Sequence, residues 1–187
     1  MRIIAGRLKG RSLFSPEGRE VRPTSDKARQ ALFNIIGPGV DGASFLDLFA
    51  GTGAVGLEAL SRGAASVTAV ERSPATAKRN AQKLGVGPDN GYTLLAHDVF
   101  AEAQSACKRG LLFGYIFADP PWGEGLEERI LSAAAPLLAQ GGTLILELNR
   151  RTPPPDGAAC GLALADSRRY GEAVFHFYHP DAKVDHP

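Results

Sequence analysis

Sulfur is scarce in this sequence, and with it the usual means of covalent or metal-based reinforcement. The 187 residues include two cysteines, Cys107 and Cys160, and neither has the paired spacing near histidines that is typical of zinc sites. A disulfide framework and a zinc centre are therefore disfavoured, and we expect no metal site. The fold must come from the hydrophobic residues, 44% of the chain, which suffice for a substantial core at this length.

Long apolar runs are also missing. Residues Met1–Arg7 contain no apolar signal core. No window of the sequence reaches the roughly 18 uncharged apolar residues that a membrane span requires. The prediction is a soluble, cytoplasmic protein that does not contact a membrane. We also expect it to act as a monomer.

Acidic residues are few at the start of the chain. Residues 1–29 hold eight basic and three acidic side chains, whereas the whole chain carries a net charge of +1. A basic segment ahead of an acidic body is typical of a surface that contacts phosphates, and the candidates are Arg7, Lys9, Arg11 and Arg22. The alternative is a solvated charged face, and charge alone does not separate the two.

Residues 1–37 show the pattern of a hairpin followed by a helix. The apolar residues of segment 2–22 are interrupted by glycines and a turn signal, which predicts an extended hairpin arm. Residues 23–25 then form a helix entry, and apolar residues recur at helical spacing up to Gly37. We therefore separate a basic extension, residues 1–37, from a domain of residues 38–187.

From Ser44 onward, short apolar strands alternate with helices. This alternation predicts a doubly wound α/β sheet of seven strands. The predicted strands are 45–49, 66–71, 92–96, 115–118, 143–148, 162–165 and 173–178, and the predicted helices are 54–62, 74–84, 100–109 and 125–139. In the second of these helices, Ser73 is the predicted N-cap and Pro74 the first helical residue.

The segment from Asp47 to Gly56 lies where the first strand turns into a helix. Its glycines, Gly51, Gly53 and Gly56, allow backbone amides to approach a ligand at a helix N-terminus, which predicts a nucleotide-like cofactor. Nicotinamide-binding folds use the same spacing, so the glycines do not separate that cofactor from S-adenosylmethionine. Asp47 favours S-adenosylmethionine, because a negative charge is unfavourable near a diphosphate and favourable near the ammonium of a methionine group.

Two further acids follow the next two strands. Glu71 closes the second strand, a position from which an acid accepts hydrogen bonds from both hydroxyls of an adenosine ribose. Asp98 follows the third strand and is a candidate acceptor for the adenine amino group; the alternative is a helix cap ahead of Phe100. These assignments indicate an adenosine, and they leave the rest of the cofactor open.

The sequence Asp119-Pro120-Pro121-Trp122 directly follows the fourth strand. Doubly wound folds place their sites at the carboxyl edge of the sheet, and two prolines make this loop rigid and poor in hydrogen-bond donors. The Asp119 carboxylate and the Pro120 carbonyl can accept hydrogen bonds from one amino group, while Trp122 offers a face on which a base can stack.

This loop suits the methylation of an amino nitrogen on a base. The lone pair of such a nitrogen is conjugated into the ring, which makes the nitrogen a poor nucleophile. Two acceptors on its N–H groups favour a pyramidal nitrogen and stabilise the positive charge that develops as it attacks a sulfonium methyl group. In-line positioning supplies much of the remaining acceleration, and no metal is required.

These motifs resemble those of the class I S-adenosyl-L-methionine-dependent methyltransferases, and more narrowly those of the bacterial 16S ribosomal RNA guanine-N2 methyltransferases. The resemblance covers nearly the whole chain. Four stretches carry it: residues 2–11, 22–34, 47–56 and 119–122. The last two are shared with DNA adenine and protein glutamine methyltransferases and therefore indicate the reaction, whereas the first two are more particular to the ribosomal enzymes.

The resemblance implies a Rossmann-like methyltransferase domain that methylates the N2 amino group of a guanine in 16S rRNA, within the small ribosomal subunit. The implied cofactor residues are Asp47, Ala50, Gly51, Gly53, Glu71, Arg72, Asp98 and Val99. Asp119, Pro120, Pro121 and Trp122 would hold the guanine amino group, and the basic arm would help to bind RNA. Trp122 departs from the family, in which phenylalanine or tyrosine is more usual.

Three other functions remain open from the sequence. A NAD-dependent oxidoreductase would bind NADH, but the sequence offers no candidate acid or base for hydride transfer. A non-catalytic RNA-binding module would need a vestigial glycine loop, and a tightly bound cofactor would argue against it. An amino methyltransferase acting on adenine N6 of nucleic acid, or on a protein glutamine amide, is separated from the ribosomal enzymes by the N-terminal resemblance alone.

Overall fold

The chain divides into two compact units, which we describe separately. The computed structural model describes residues 1–15 and 25–181. Unit 1 is Met1–Val99 and unit 2 is Phe100–Pro187. The predicted division into an extension of residues 1–37 and a domain of residues 38–187 stays a prediction.

Unit 1 contains three parallel strands joined by helices. Its elements are α1 (Asp26–Ile36), β1 (Ser44–Leu48), α2 (Ala54–Ser61), β2 (Ser66–Val70), α3 (Ala75–Leu84) and β3 (Tyr92–Leu95). β1 pairs in parallel with β2, and β2 in parallel with β3. Parallel neighbours require a crossover connection, which α2 and α3 supply here.

Unit 2 combines one parallel strand pair with an antiparallel extension. Its elements are α4 (Val99–Lys108, which begins at the last residue of unit 1), β4 (Phe113–Ala118), α5 (Glu127–Ala134), β5 (Leu138–Asn149), β6 (Leu162–Tyr170) and β7 (Ala173–Pro180). β4 and β5 are parallel, and β7 is antiparallel to both β5 and β6. The predicted closing pair of strands is confirmed, although β6 runs five residues beyond its predicted end at residue 165.

All seven strands belong to one sheet, in the order β3-β2-β1-β4-β5-β7-β6. The predicted doubly wound α/β class is confirmed. Phe45, Leu46 and Leu48 of β1 and residues 116–118 of β4 are all buried. Such near-continuous apolar runs are expected of parallel strands that are covered on both faces.

The first 15 residues form a tight hairpin that contains one isolated antiparallel β-bridge rather than two extended strands. Arg2 and Ser12 make the antiparallel bridge, and the Ile3 amide donates to the Arg11 carbonyl at 2.9 Å. Gly10, with φ +83°, is part of the turn and leaves few residues to extend the ladder. The predicted hairpin is confirmed for these residues, while its continuation, including Arg22, lies outside the described residues.

Helix α1 begins and ends as predicted. The Ser25 hydroxyl accepts a hydrogen bond from the Ala28 amide at 3.1 Å, which caps the first turn. Gly37 ends the helix with φ +64°, a conformation that glycine adopts without the strain of a Cβ atom.

Two helix predictions were wrong in detail. Ser73 does not cap α3: the N-cap is Pro74, without a side-chain hydrogen bond, and the Ser73 amide instead donates to Glu71. The helix predicted for residues 125–139 starts at Glu127 and stops at Ala134, where a 3-10 turn containing Pro136 leads directly into β5. Proline cannot donate the amide hydrogen bond that would continue the helix.

Two further findings concern the described residues. None of their helices is long and apolar enough to cross a lipid bilayer. Across residues 1–15 and 25–181, no cluster of three or more histidine, cysteine, aspartate or glutamate side chains is arranged to hold a metal ion.

Candidate functional site

The glycine-rich loop between β1 and α2 depends on backbone conformations that most residues avoid. Gly51 has φ +54° and Gly53 has φ +75°. Phe49, at the end of β1, is the single non-glycine residue with positive φ in the described part of the chain, and such strain is concentrated at functional sites. A Cβ atom on Gly53 would lie 2.8 Å from the Tyr92 hydroxyl, so glycine is required there for two independent reasons.

Asp47 lies buried at the end of β1, directly below this loop. Its Oδ2 atom accepts a hydrogen bond from the Gly56 amide at 2.8 Å, which links the strand to the first turn of α2. Burial raises the pKa of Asp47 to about 7, the Gly56 bond opposes that shift, and the charge of Glu71 adds to it. The charge of Asp47 therefore changes near neutral pH.

Tyr92 supports the loop from beneath and was missed by the sequence analysis. Its hydroxyl is buried and has no hydrogen-bond partner among the described residues. Burial, together with the nearby Asp47 charge, raises the pKa of Tyr92, so the phenol stays neutral. A tyrosine that opens an aliphatic strand carries no sequence signal of where its hydroxyl will lie.

Glu71 immediately follows β2 and contacts two loop amides. Its Oε2 atom accepts a hydrogen bond from the Gly51 amide at 2.9 Å, and its Oε1 atom accepts one from the Ser73 amide at 2.8 Å. Each carboxylate oxygen can accept more than one hydrogen bond. The half-buried carboxylate is therefore oriented by the backbone and still able to accept hydrogen bonds from two neighbouring hydroxyls.

Arg72 and Asp98 form an ion pair beside Glu71. The Arg72 Nη2 atom lies 2.7 Å from Asp98 Oδ2, and the two side chains are 80% and 40% exposed. Asp98 directly precedes α4, whose first residue, Val99, is buried, so the position is that of a helix cap as well as that of an exposed acceptor. An exposed pair of this kind is weak, and Asp98 can exchange Arg72 for a ligand at little cost.

These residues fit an adenosine-containing cofactor with a positively charged tail. Unit 1 holds all eight predicted cofactor residues at its strand ends and helix starts: Asp47, Ala50, Gly51, Gly53, Glu71, Arg72, Asp98 and Val99. The turn itself requires glycine at position 53, because a Cβ atom there would meet the Tyr92 hydroxyl. Two carboxylates that can accept hydrogen bonds, Asp47 and Glu71, lie next to the glycine turn, which suits an ammonium and a ribose better than a diphosphate.

In unit 2, Asp119 to Trp122 follow β4 without a gap. Asp119 is half-buried and Pro120 is buried, whereas Pro121 and Trp122 are exposed. The Trp122 side chain, 37% exposed, leaves part of its ring open for stacking. The segment lies at the carboxyl end of the strand, where the sequence places it, and its role as acceptor and stacking face stays a prediction.

The N-terminal hairpin docks onto α2 through buried polar contacts. The fully buried Glu58 accepts hydrogen bonds from the Ile4 amide at 2.8 Å and the Ala5 amide at 3.0 Å. The Arg7 amide donates to the Ser61 carbonyl at 2.8 Å, and a Cβ atom on Gly6 would lie 1.7 Å from that same oxygen. The hairpin backbone is therefore seated directly on the helix that follows the glycine loop.

The predicted phosphate contacts of the hairpin are exposed. Arg7, Lys9 and Arg11 all have side chains at the surface of unit 1, where they can reach phosphates, while the fourth candidate, Arg22, lies outside the described residues. In contrast, Arg29 of α1 is fully buried, and its Nε atom lies 3.7 Å from Glu58 Oε2. The basic residues near the N-terminus thus divide into exposed and structural ones.

Comparison with known proteins assigns this chain to a family. A family model described as "Conserved hypothetical protein 95" matches residues 1–179. The chain belongs to this family. The "Putative rRNA methyltransferase YlbH" of Bacillus subtilis is 35% identical over 176 residues, 91% of this chain and 94% of that protein. The "Ribosomal RNA small subunit methyltransferase D" of Escherichia coli K12 is 38% identical over 133 residues, 71% of this chain and 65% of that protein.

A solved structure agrees with this family. The "Putative methyltransferase yhhF from Escherichia coli" superposes with a TM-score of 0.83 and 29% identity, covering 98% of this chain and 99% of that one. The resemblance predicted from the N-terminal stretches, the glycine loop and residues 119–122 is confirmed. The roles of individual site residues remain predictions.

Proposed function

We propose that this chain transfers a methyl group from S-adenosyl-L-methionine to the N2 amino group of a guanine in 16S rRNA, within the small ribosomal subunit. The observation that carries the proposal is the Asp119-Pro120-Pro121-Trp122 loop, which ends a parallel strand with an acceptor and an open aromatic ring in a chain of this family. Two relatives are named as ribosomal RNA methyltransferases, which supports rRNA as the substrate class.

The cofactor is held by residues of unit 1. Glu71, oriented by the Gly51 and Ser73 amides, accepts hydrogen bonds from the ribose hydroxyls, and Asp98 accepts one from the adenine amino group. Asp47 attracts the methionine ammonium through its charge. When bound, S-adenosylmethionine supplies an electrophilic methyl group on a sulfonium.

The nucleophile is oriented by residues of unit 2. The Asp119 carboxylate and the Pro120 carbonyl accept hydrogen bonds from the two N–H groups of the amino nitrogen. This polarisation favours the lone pair for attack and stabilises the positive charge that develops on nitrogen. Trp122 stacks on the base, which must first leave its own stack at a cost of a few kcal/mol.

The test is to incubate the protein with methyl-labelled cofactor and small ribosomal subunits that lack their native methylations. After digestion of the RNA, the labelled nucleoside is identified. We expect N2-methylguanosine with the wild type and none with Asp119→Ala, whereas Asp89→Ala, at an exposed loop aspartate of unit 1, should retain activity.

Two results would contradict the proposal in different ways. Labelled N6-methyladenosine would move the assignment to adenine methylation. Cofactor binding without any labelled RNA nucleoside would favour the protein amide methyltransferases, and labelled glutamine in a ribosomal or translation protein would identify that activity.

A further inference from the structure

Phe14 is an exposed aromatic residue surrounded by positive charge. Its side chain is 36% exposed. The Arg79 guanidinium lies 4.2 Å from the centre of its ring, and the Lys83 ammonium lies 4.6 Å from it. Both cations belong to α3, and Lys83 also donates to the Ser12 hydroxyl at 2.7 Å. We call Phe14, Arg79 and Lys83 the α3 patch.

The backbone of Phe14 is held more firmly than its exposure suggests. The fully buried Asn80 accepts a hydrogen bond from the Phe14 amide at 2.6 Å and donates one to the Phe14 carbonyl at 3.1 Å. The same Asn80 amide group donates to the Thr52 carbonyl of the glycine loop at 2.9 Å. Asn80 therefore fixes the backbone position from which the exposed Phe14 ring projects.

The two segments that form the patch carry charge of one sign. Residues 1–15 and helix α3 together carry seven basic side chains and no acidic one: Arg2, Arg7, Lys9, Arg11, Lys78, Arg79 and Lys83. A basic surface with an accessible aromatic ring is a combination that binds single-stranded nucleic acid, because phosphates contact the cations and a base stacks on the ring.

We propose that the α3 patch binds one unpaired nucleotide of the RNA substrate, outside the methylated base itself. The base stacks on the Phe14 ring, and Arg79 and Lys83, whose cations lie beside that ring, contact the adjoining phosphates. The role deepens the proposed function and rests on it, since the RNA is the substrate of that reaction.

The test compares variants of Phe14 that differ in aromaticity. With small subunits as substrate, Phe14→Leu should raise KM about tenfold, the scale of one base–aromatic stack, while kcat and the affinity for S-adenosylmethionine stay at wild-type values. Phe14→Tyr should restore the wild-type KM. Arg79→Gln and Lys83→Gln should each reduce the salt dependence of KM by about one phosphate contact, and Lys108→Gln, at an exposed lysine of α4, should not.

A second measurement separates this proposal from the proposed function. Fluorescence anisotropy with a labelled 12-nucleotide single-stranded RNA reports binding without methyl transfer. If Phe14→Leu weakens this binding and Phe14→Tyr does not, the α3 patch stands even when no methylated guanosine forms. Equal RNA affinity and equal KM for wild type and Phe14→Leu would overturn it, as would equal losses in the Leu and Tyr variants, while leaving the methyltransferase assignment intact.

Discussion

At the scale of single residues, the charge of Asp47 is the property most open to experiment. A carboxyl with a pKa of about 7 is about 10% ionised at pH 6 and about 75% ionised at pH 7.5. The ammonium of the cofactor stays mostly protonated over this range, since α-amino groups titrate at about 7.7 to 8.0. Because the ionised carboxylate attracts the ammonium, we expect the affinity for S-adenosylmethionine to rise several-fold from pH 6 to pH 7.5.

Isothermal titration calorimetry at several pH values measures this trend. The control is Asp47→Asn, which cannot ionise and should bind weakly and equally across the range. A pH trend that persists in the Asn variant would assign it to another group and would remove Asp47 from the ammonium site.

The buried hydroxyl of Tyr92 leads to a prediction about stability. This hydroxyl has no hydrogen-bond partner within residues 1–15 and 25–181. A buried hydroxyl in that state is a net cost to the folded state, because it gives up its bonds to water. Tyr92→Phe should therefore raise the free energy of unfolding by about 1 kcal/mol, measured by urea denaturation. Tyr178→Phe is the matched control, since the Tyr178 hydroxyl donates to the Pro155 carbonyl at 2.8 Å. It should lower the unfolding free energy by a similar amount, and a loss of stability in both variants would contradict the prediction.

At the scale of elements, the seating of the N-terminal hairpin on α2 depends on one glycine. A Cβ atom on Gly6 would overlap the Ser61 carbonyl oxygen, at 1.7 Å, so Gly6→Ala should displace the hairpin from α2. We expect a fall of about 100-fold in kcat/KM for small subunits, the scale of a misplaced substrate contact, with little change in cofactor affinity.

Gly10→Ala is the matched control for this substitution. Gly10 also has a positive φ, of +83°, but no atom of the described residues lies within 4 Å of its Cβ position. It therefore shares the backbone strain of Gly6 without the overlap. If both variants lose activity equally, strain in the hairpin and not its seating on α2 would explain the effect.

Elements were largely predictable from the sequence, but contacts between them were not. Helical and alternating periodicities are local, so strands such as β1 and β2 were located to within one residue at each end. The two hydrogen bonds between Asn80 and Phe14 join residues far apart in the chain. An asparagine in mid-helix is a weak signal of such a contact, because it is a poor helix former that competes for backbone groups.

At the scale of the whole molecule, the binding of RNA should depend on ionic strength. Each phosphate contact that is lost reduces the salt dependence of binding by about one counterion. Replacing Arg7, Lys9 and Arg11 together by glutamine should lower the slope of log KM against log salt by up to about 3, with kcat unchanged at low salt. Arg150→Gln, which breaks an exposed ion pair with Glu172 in unit 2, should leave the slope as it is. An unchanged slope in the triple variant would remove the hairpin from the RNA contacts.

The residues proposed to hold the cofactor and the amino group were predictable from the sequence, but the charge of Asp47 was not. Each of the two motifs, the glycine loop and residues 119–122, is a continuous stretch of sequence. Their positions after β1 and β4 were therefore evident. The raised pKa of Asp47 comes from burial, which only the packed structure reveals. The sequence therefore identifies the side chains of the candidate site, whereas the ionisation of a buried one such as Asp47 depends on how the chain packs around it.

The proposed roles predict that substitutions can separate the binding of S-adenosylmethionine from the transfer of its methyl group. The candidate cofactor-binding residues lie between Asp47 and Val99, in unit 1. The loop of residues 119–122, proposed to hold the amino group, lies in unit 2. Asp119→Asn removes the charge that stabilises the developing ammonium, so kcat should fall about 100- to 1,000-fold while the affinity for S-adenosylmethionine is unchanged. Glu71→Gln should do the reverse: it should lower the affinity for S-adenosylmethionine and leave kcat unchanged at saturating cofactor. Calorimetry and single-turnover methylation together decide the matter: weakened cofactor binding in Asp119→Asn would place that carboxylate in the cofactor site rather than against the amino group.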